Sequence, residues 1–158
     1  MSIGTARVEE LPAICRLARD TDGIVGHPLH VYRILHDHFG RFMLAARDHG
    51  ELVGFQQGFP STEREGVYFL WQVGIRADSR KNGLAGELVR EAERLARGAG
   101  CTAVQATVDV RNVPSRSLFS SLGYRNASFG DTVEIDGESV MPDYYGSGTD
   151  QILFQKDL

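Results

Sequence analysis

The sequence predicts an α/β fold of the α+β kind: a single domain over residues 1–158, with a mixed central sheet of about six to seven strands and helices on both faces. Three observations predict it. The run Val67 to Ile75, VYFLWQVGI, is nearly all apolar or aromatic, as a central strand covered on both faces must be. An amphipathic run of helical period follows it from Leu84, making a strand–helix unit. Upstream, two apolar runs joined by His49-Gly50 read as a hairpin, so antiparallel and parallel pairing share one sheet. The 158 residues are enough to bury a core without disulfides or metal.

The elements follow in order. Ile3 to Val8 reads as a short strand, and Glu9 to Arg19 as a helix that places Leu11, Ile14, Cys15 and Ala18 on one face. Pro28 suits a first helical turn, and Val31, Ile34, Leu35 and Phe39 carry a second helix to Gly40. Phe42 to Ala46 and Leu52 to Phe59 are the hairpin strands, Pro60 to Gly66 a polar loop, and Val67 to Ile75 the central strand. Leu84, Leu88, Ala92, Leu95 and Ala96 then form the stripe of a long helix, with Glu87, Arg90, Glu91, Glu93, Arg94 and Arg97 outside it. Gly98 and Gly100 end that helix. Ala103 to Val108 is a strand, Ser115 to Leu122 a helix closed by Gly123, and Tyr124 to Ile135 and Gln151 to Gln155 the last strands.

Composition excludes several classes. Hydrophobic content of 42% with 24% charged residues is that of a soluble globular protein. No apolar run approaches a membrane span and Met1-Ser2-Ile3-Gly4 is not a leader, so a cytoplasmic protein that engages no membrane is expected. Cys15 and Cys101 stand in apolar contexts and read as buried free thiols. A net charge of -4 argues against nucleic-acid partners, but its distribution is uneven. Residues 73–125 carry 9 basic and 5 acidic side chains; residues 126–158 carry 1 and 7. The first segment suits an anion and the second a cation, although Asp131, Glu134, Asp136, Glu138 and Asp143 read equally as a solvated strand and loop face.

The anion has a specific place. Arg80-Lys81-Asn82-Gly83-Leu84-Ala85 joins the central strand to the long helix, and a helix start leaves backbone N–H groups unpartnered at the positive end of its dipole. Gly83 and the small Ala85 allow close approach, while Arg80 and Lys81 add charge. A Walker loop is excluded because Leu84-Ala85 follows Gly83 where Lys-Ser/Thr is required, and no Gly-x-Gly-x-x-Gly follows the first strand.

The pattern Arg80-x-x-Gly83-x-Ala85 after a strand resembles the GNAT acetyltransferase superfamily. A second match reinforces it: Asn112-Val113-Pro114-Ser115-Arg116-Ser117-Leu118-Phe119-Ser120-Ser121-Leu122-Gly123-Tyr124 is similar to the family's next strand–helix junction. The resemblance implies that Arg80, Lys81, Asn82, Gly83, Leu84 and Ala85 hold the pyrophosphate of acetyl-coenzyme A (acetyl-CoA). It also implies that Val73, Gly74 and Ile75 bond the pantetheine arm through their main chain, and that Asn112 and Ser115 face the cofactor. On the residues alone, Arg80 to Ala85 could also be a capped turn and Asn112 an ordinary helix cap, but two motifs at compatible spacing on matching elements favour the cofactor reading. Phe119 departs from the family, standing where many relatives carry a tyrosine that protonates the departing thiolate. Core packing beside Leu118 and Leu122 is its expected role, leaving water, Tyr124, Tyr144 or Tyr145 as the proton source.

A closer resemblance is to the L-2,4-diaminobutyrate acetyltransferases of ectoine biosynthesis, carried by His38-Phe39, Val53-Gly54-Phe55, Phe69-Leu70-Trp71-Gln72-Val73, Ala106-Thr107-Val108, Ser117-Leu118-Phe119 and Ile152-Leu153-Phe154. It implies that Trp71 and Gln72 border the acceptor pocket; on the residues alone Trp71 reads equally as core packing. Two segments depart from that family: Ile24 to Leu29 before the second helix, and Gly148 to Gln151 before the final strand. Glu134 and Asp150, in the acidic terminal segment, are the residues expected to attract or bind an ammonium. His27, His30, His36, His38 and His49 lack recognisable partners, so no general base is assigned; His36-x-His38 lacks ligand spacing, so no metal is expected.

The expected function is acetyl transfer from acetyl-CoA to a primary amine of a small cationic metabolite, a diamino acid such as 2,4-diaminobutyrate first. The alternatives are an amine-antibiotic acetyltransferase and a non-catalytic acyl-CoA-binding domain. The family often pairs through its C-terminal strands, which allows a homodimer, although no segment demands one.

Overall fold

A computed structural model describes all residues, Met1–Leu158. The main sheet has seven strands: β1 (Ser2–Thr5), β2 (Met43–Asp48), β3 (Glu51–Pro60), β4 (Val67–Ile75), β5 (Ala103–Asp109), β6 (Arg125–Asn126) and β9 (Gln151–Asp157). Their spatial order is β1-β2-β3-β4-β5-β9-β6, and a separate hairpin holds β7 (Val133–Ile135) and β8 (Glu138–Val140). The helices are α1 (Leu11–Arg19), α2 (Leu29–Phe39), α3 (Leu84–Gly98) and α4 (Val113–Ser121). All strand pairs are antiparallel except β4 with β5, which α3 connects. This is the mixed sheet that the sequence predicts.

Strand alternation divides the core. Leu44 and Ala46 of β2, Val53 of β3 and Tyr68 and Leu70 of β4 face α3, where Leu84, Leu88, Ala92 and Ala96 are buried. Met43, Ala45 and Phe55 face the other way, onto Ile14 and Ala18 of α1 and Tyr32 of α2. Burial of each large apolar side chain contributes about 1.5–3 kcal/mol, so helices on both faces are held by the two-residue period of the strands between them. At the β2–β3 turn, His49 and Gly50 both have positive φ, 47° and 88°, the conformation a two-residue hairpin turn requires.

Several boundaries differ from the sequence reading. β1 stops at Thr5, and a 3-10 turn over Val8–Glu10 precedes α1, which has Pro12 in its first turn. α4 begins at Val113 because the Asn112 side chain caps it and Pro114 is tolerated in the first turn. Tyr124 to Ile135 is not one strand. β6 pairs with β9 for two residues, the chain then leaves the sheet, and Asp136-Gly137, both with positive φ, closes the β7–β8 hairpin. Glu93, expected on the solvent face of α3, is buried at 4% exposure. It accepts hydrogen bonds from Tyr124 Oη (3.1 Å) and Lys156 Nζ (3.0 Å).

Two irregularities position the site. β4 and β5 pair only from Val67–Ala103 to Phe69–Gln105, although both strands run on, to Ile75 and Asp109. Their C-terminal halves therefore leave a notch in the sheet. On the other edge of β4 the register moves from Gln57–Gln72 to Gly58–Leu70, so Trp71 is an extra residue in a β-bulge.

Candidate active site

The notch lies at the ends of the two parallel strands, where α3 and α4 both begin, so both helix N-termini are delivered to the same edge of the sheet. At α3 the N-cap is Gly83, in the left-handed region at φ 79°, and no side chain caps the first turn. A side chain at Gly83 would meet nothing within 4 Å. Lys81 is also left-handed, at φ 66°. Arg80 Nε donates to the Ile75 carbonyl (3.1 Å), which ties the loop to the end of β4. Arg80, Lys81, Asn82 and Gly83 are exposed, Ala85 is half-buried, and Leu84 anchors the turn in the core. An open cradle of uncapped N–H groups flanked by two cations fits a pyrophosphate.

At α4, Asn112 Oδ1 accepts from the Ser115 N–H (3.1 Å), the helix-cap arrangement. Its amide nitrogen packs on Gly23, in the loop between α1 and α2. That loop crosses the C-terminal half of β4. Ile24 lies against Gly74, where any Cβ would also collide with Phe55, and the Val25 carbonyl accepts from Gln72 Nε2 (3.0 Å). The His27 ring lies 5.1 Å from Trp71.

The bulge explains an otherwise impossible pair of orientations. Adjacent strand residues point to opposite faces, yet Trp71 packs in the α1–α2 core cluster and Gln72 accepts a hydrogen bond from Tyr32 Oη on α2 (3.1 Å). The extra residue shifts the phase so that Trp71 and Gln72 share one face, while Val73 and Ile75 pack on the α3 side. Gln72 is buried and engaged at both ends of its amide by Tyr32 and Val25.

On that same face a cavity of about 150 Å³ is floored by Phe69 of β4 and by Gln105 and Thr107 of β5. Its wall combines Arg64, from the β3–β4 loop, with Tyr144 and Tyr145, from the loop before β9. Thr107 Oγ1 and Tyr145 Oη lie 3.0 Å apart. Tyr145 is 59% exposed, but partial desolvation of its hydroxyl raises the phenol above its ordinary pKa, partly offset by the Thr107 hydrogen bond, so the phenol keeps its proton at neutral pH. Sequence reasoning missed Arg64, Gln105 and Thr107 as pocket residues. Residues this far apart in the chain meet only through strand order, although Ala106-Thr107-Val108 stands within the closer resemblance.

The structure separates the other candidates. Tyr124 is buried and donates to Glu93, far up the α3 side of the sheet; burial first, then the Glu93 charge, hold its pKa well above normal. Phe119 stacks on Phe154 (5.8 Å) and meets Tyr124 edge-on (5.0 Å), a core position. Glu134 is exposed on the β7–β8 hairpin with no ion pair, and Asp150 Oδ1 accepts from the Asp143 N–H (3.0 Å) within its own loop. Neither lines the cavity beside Phe69, and neither touches Trp71 or Gln72. His36 bonds the Ala6 carbonyl and His49 is fully in solvent, so of the five histidines His27 alone touches Trp71. No group of His, Cys, Asp and Glu is arranged to hold a metal, Cys15 and Cys101 are buried and unpaired, and no helix is long and apolar enough to cross a membrane.

A mixed sheet with a notch between two parallel strands, an uncapped helix start at its end and a small pocket on one face defines an acyl-CoA-dependent N-acetyltransferase. Residues 10–124 match the Acetyltransferase (GNAT) family, and the chain belongs to that family, with acetyl-CoA as its acetyl donor. Among curated proteins it is similar to the L-2,4-diaminobutyric acid acetyltransferase of Streptomyces coelicolor, 29% identical over 157 residues, covering 98% of this chain and 91% of the relative. Among solved structures it resembles the diaminobutyrate acetyltransferase EctA from Paenibacillus lautus in complex with L-2,4-diaminobutyric acid and coenzyme A. That match has a TM-score of 0.78 and 22% identity, covering 98% of this chain and 92% of that one. It also resembles Ard1 from Thermoplasma volcanium, with a TM-score of 0.83, 15% identity, and 99% and 97% coverage.

Proposed function

We propose that the protein acetylates a primary amine of a small diamino acid, L-2,4-diaminobutyrate being the first acceptor. The observation that carries this reading is the size and place of the pocket at Phe69, Thr107 and Tyr145: about 150 Å³, beside the notch, on the sheet face that also carries Trp71 and Gln72, although neither of those two lines it. A space of that volume suits a small molecule such as a diamino acid. The relatives named for diaminobutyrate, aligned along most of the chain, favour the same acceptor.

Acetyl-CoA supplies an acetyl thioester activated for attack by an amine. Arg80 to Ala85 would hold its pyrophosphate at the start of α3, and the unpaired edge of β4 from Val73 to Ile75 offers main-chain groups to its arm, with Asn112 and Ser115 bordering the notch. An N–H on that edge at Val73 is suited to a carbonyl oxygen that gains negative charge. An alkyl ammonium must first lose a proton, at a cost of about 4 kcal/mol at neutral pH. No carboxylate or imidazole lines the pocket, so water carries that proton away. Tyr145 would give a proton to the leaving thiolate, the task Phe119 cannot perform; its protonated hydroxyl beside Thr107 supports that role.

Thiol release from acetyl-CoA, followed with L-2,4-diaminobutyrate, ornithine, lysine, kanamycin and short peptides with free N-termini, tests the reading. The expected result is the highest kcat/KM for diaminobutyrate. Turnover of kanamycin or of a peptide with none for diaminobutyrate would sink it.

A further inference from the structure

We propose that Arg64 recognises the carboxylate of the acceptor and so selects amino acids over simple amines, a proposal that rests on the pocket being the acceptor site. Arg64 is the one charged residue among those lining the pocket. A pocket for a bare diamine should offer negative charge; this one presents a cation and a set of neutral hydroxyl, amide and aromatic groups. No carboxylate lies within ion-pair distance of Arg64, whereas Arg7, Arg33, Arg47, Arg76, Arg94 and Arg111 each have an acidic partner. Its charge is therefore available to a ligand.

The guanidinium is also held in place. Arg64 Nη1 donates to Gln105 Oε1 (2.7 Å), and the Gln105 amide is oriented in turn because its Nε2 donates to Gln155 Oε1 (2.8 Å). The guanidinium carbon lies 5.3 Å from the centroid of the Phe129 ring, and the Arg64 N–H donates to Ser61 Oγ (3.0 Å), fixing the loop. A guanidinium has five N–H donors, and Gln105 occupies one of its edges, so paired donors are left for a carboxylate in the two-pronged geometry that arginine favours.

The spacing agrees. Gln105 and Thr107 stand two residues apart on one strand face, about 7 Å along the strand. In an extended diaminobutyrate the terminal amine and the carboxyl carbon are about 5 Å apart by standard bond lengths. With the carboxylate at Arg64 and Gln105, the terminal amine comes within about 2 Å of the level of Thr107 and Tyr145, inside the reach of a hydrogen bond.

The test compares L-2,4-diaminobutyrate with 1,3-diaminopropane, the same molecule without its carboxylate. The wild type should prefer diaminobutyrate at least 10-fold in kcat/KM. Arg64→Gln should collapse that preference 10- to 100-fold, mainly through the KM for diaminobutyrate, and Arg64→Lys, which keeps the charge but not the fork, should restore part of it. Coenzyme A affinity, measured by calorimetry, reports whether the variants fold. Equal treatment of the two acceptors by the wild type, or an unchanged preference in Arg64→Gln, would overturn the assignment and leave acetyl transfer to diaminobutyrate standing. Turnover of other amino acids but not diaminobutyrate, with loss of their advantage over the matching carboxylate-free amines in Arg64→Gln, would remove the diaminobutyrate reading and keep Arg64. No turnover with any amine would overturn both.

Discussion

Among single residues, the tyrosines divide by what their hydroxyls touch. Tyr124 gives its hydrogen bond to buried Glu93 and is part of the core; Tyr145 shares one with Thr107 at the pocket. Replacing Tyr145 by Phe should lower kcat about 100-fold, the scale of a lost general acid, with little change in the melting temperature. Tyr124→Phe should do the reverse, costing about 1–2 kcal/mol of stability at unchanged kcat. Steady-state kinetics and urea unfolding of both variants separate these outcomes, and a Tyr145→Phe enzyme with full kcat would leave water as the proton source. Away from the site, Glu10 is held by Arg47 (2.6 Å) and Arg7 (3.0 Å), and those hydrogen bonds bring its pKa down to about 2 against the cost of burial. A carboxylate depressed in the folded state stabilises fully above its unfolded pKa and loses that contribution as pH falls toward the folded value. Glu10→Gln should therefore cost about 1.5–3 kcal/mol at pH 7, and the gap to the wild type should narrow between about pH 4.5 and pH 2, as urea melts at several pH values would register.

Among elements, β4 decides most of the site, through its notch on one side and its bulge on the other. Gly74 lies where the α1–α2 loop closes on the strand: a methyl group there would approach Phe55 Cε1 to 2.5 Å and Ile24 Cδ1 to 3.2 Å. Gly74→Ala should cost about 1–3 kcal/mol by overpacking and loosen the loop over Gln72, detectable as a lower melting temperature and faster proteolysis near Ile24. At the start of α3 the situation is the opposite. Gly83→Glu has free space for its side chain and meets only the cost of a left-handed residue, about 1–2 kcal/mol, yet it sets a negative charge in the phosphate cradle. Coenzyme A affinity should fall at least about 100-fold, near 2.7 kcal/mol, in calorimetric titration, and an unchanged affinity would remove the cradle assignment. The sequence was legible where a period governed it: the stripe Leu84 to Ala96 and the apolar run of β4 gave their elements within a residue or two. The bulge was not, because an extra residue in an apolar strand leaves no compositional mark and Trp71-Gln72 reads as ordinary alternation. The hairpin after β6 carried a signal in Asp136-Gly137, but the polar composition around it read as a solvated edge. The phosphate loop is local and was readable; the pocket draws on the β3–β4 loop, β5 and the loop before β9, so only the strand order brings it together.

At the scale of the whole molecule, the two substrates carry opposite charge and so do the segments that would meet them. Coenzyme A is a polyanion, and the cradle proposed for it lies in residues 73–125, with 9 basic and 5 acidic side chains. A diamino acid bears two ammonium groups and one carboxylate, and the loop that brings Tyr144 and Tyr145 to its pocket belongs to residues 126–158, with 1 basic and 7 acidic side chains. Glu134, Asp143 and Asp150 lie outside the cavity, so on the proposed reading they would act on an approaching ammonium through the field and not by contact. Such fields are screened beyond about 8 Å at physiological ionic strength, whereas a guanidinium–carboxylate pair in direct contact, even at the exposed Arg64, is screened less than charges acting at that range. Raising the salt from about 20 mM to about 500 mM should therefore lower kcat/KM severalfold for both acetyl-CoA and 1,3-diaminopropane. The decline should be shallower for diaminobutyrate, whose net charge is smaller and whose carboxylate is held by Arg64 at short range. Salt series of initial rates with each substrate varied in turn measure the three slopes. A slope for diaminobutyrate as steep as that for diaminopropane would mean that the field of the acidic segment, and not the contact at Arg64, governs how the acceptor is selected.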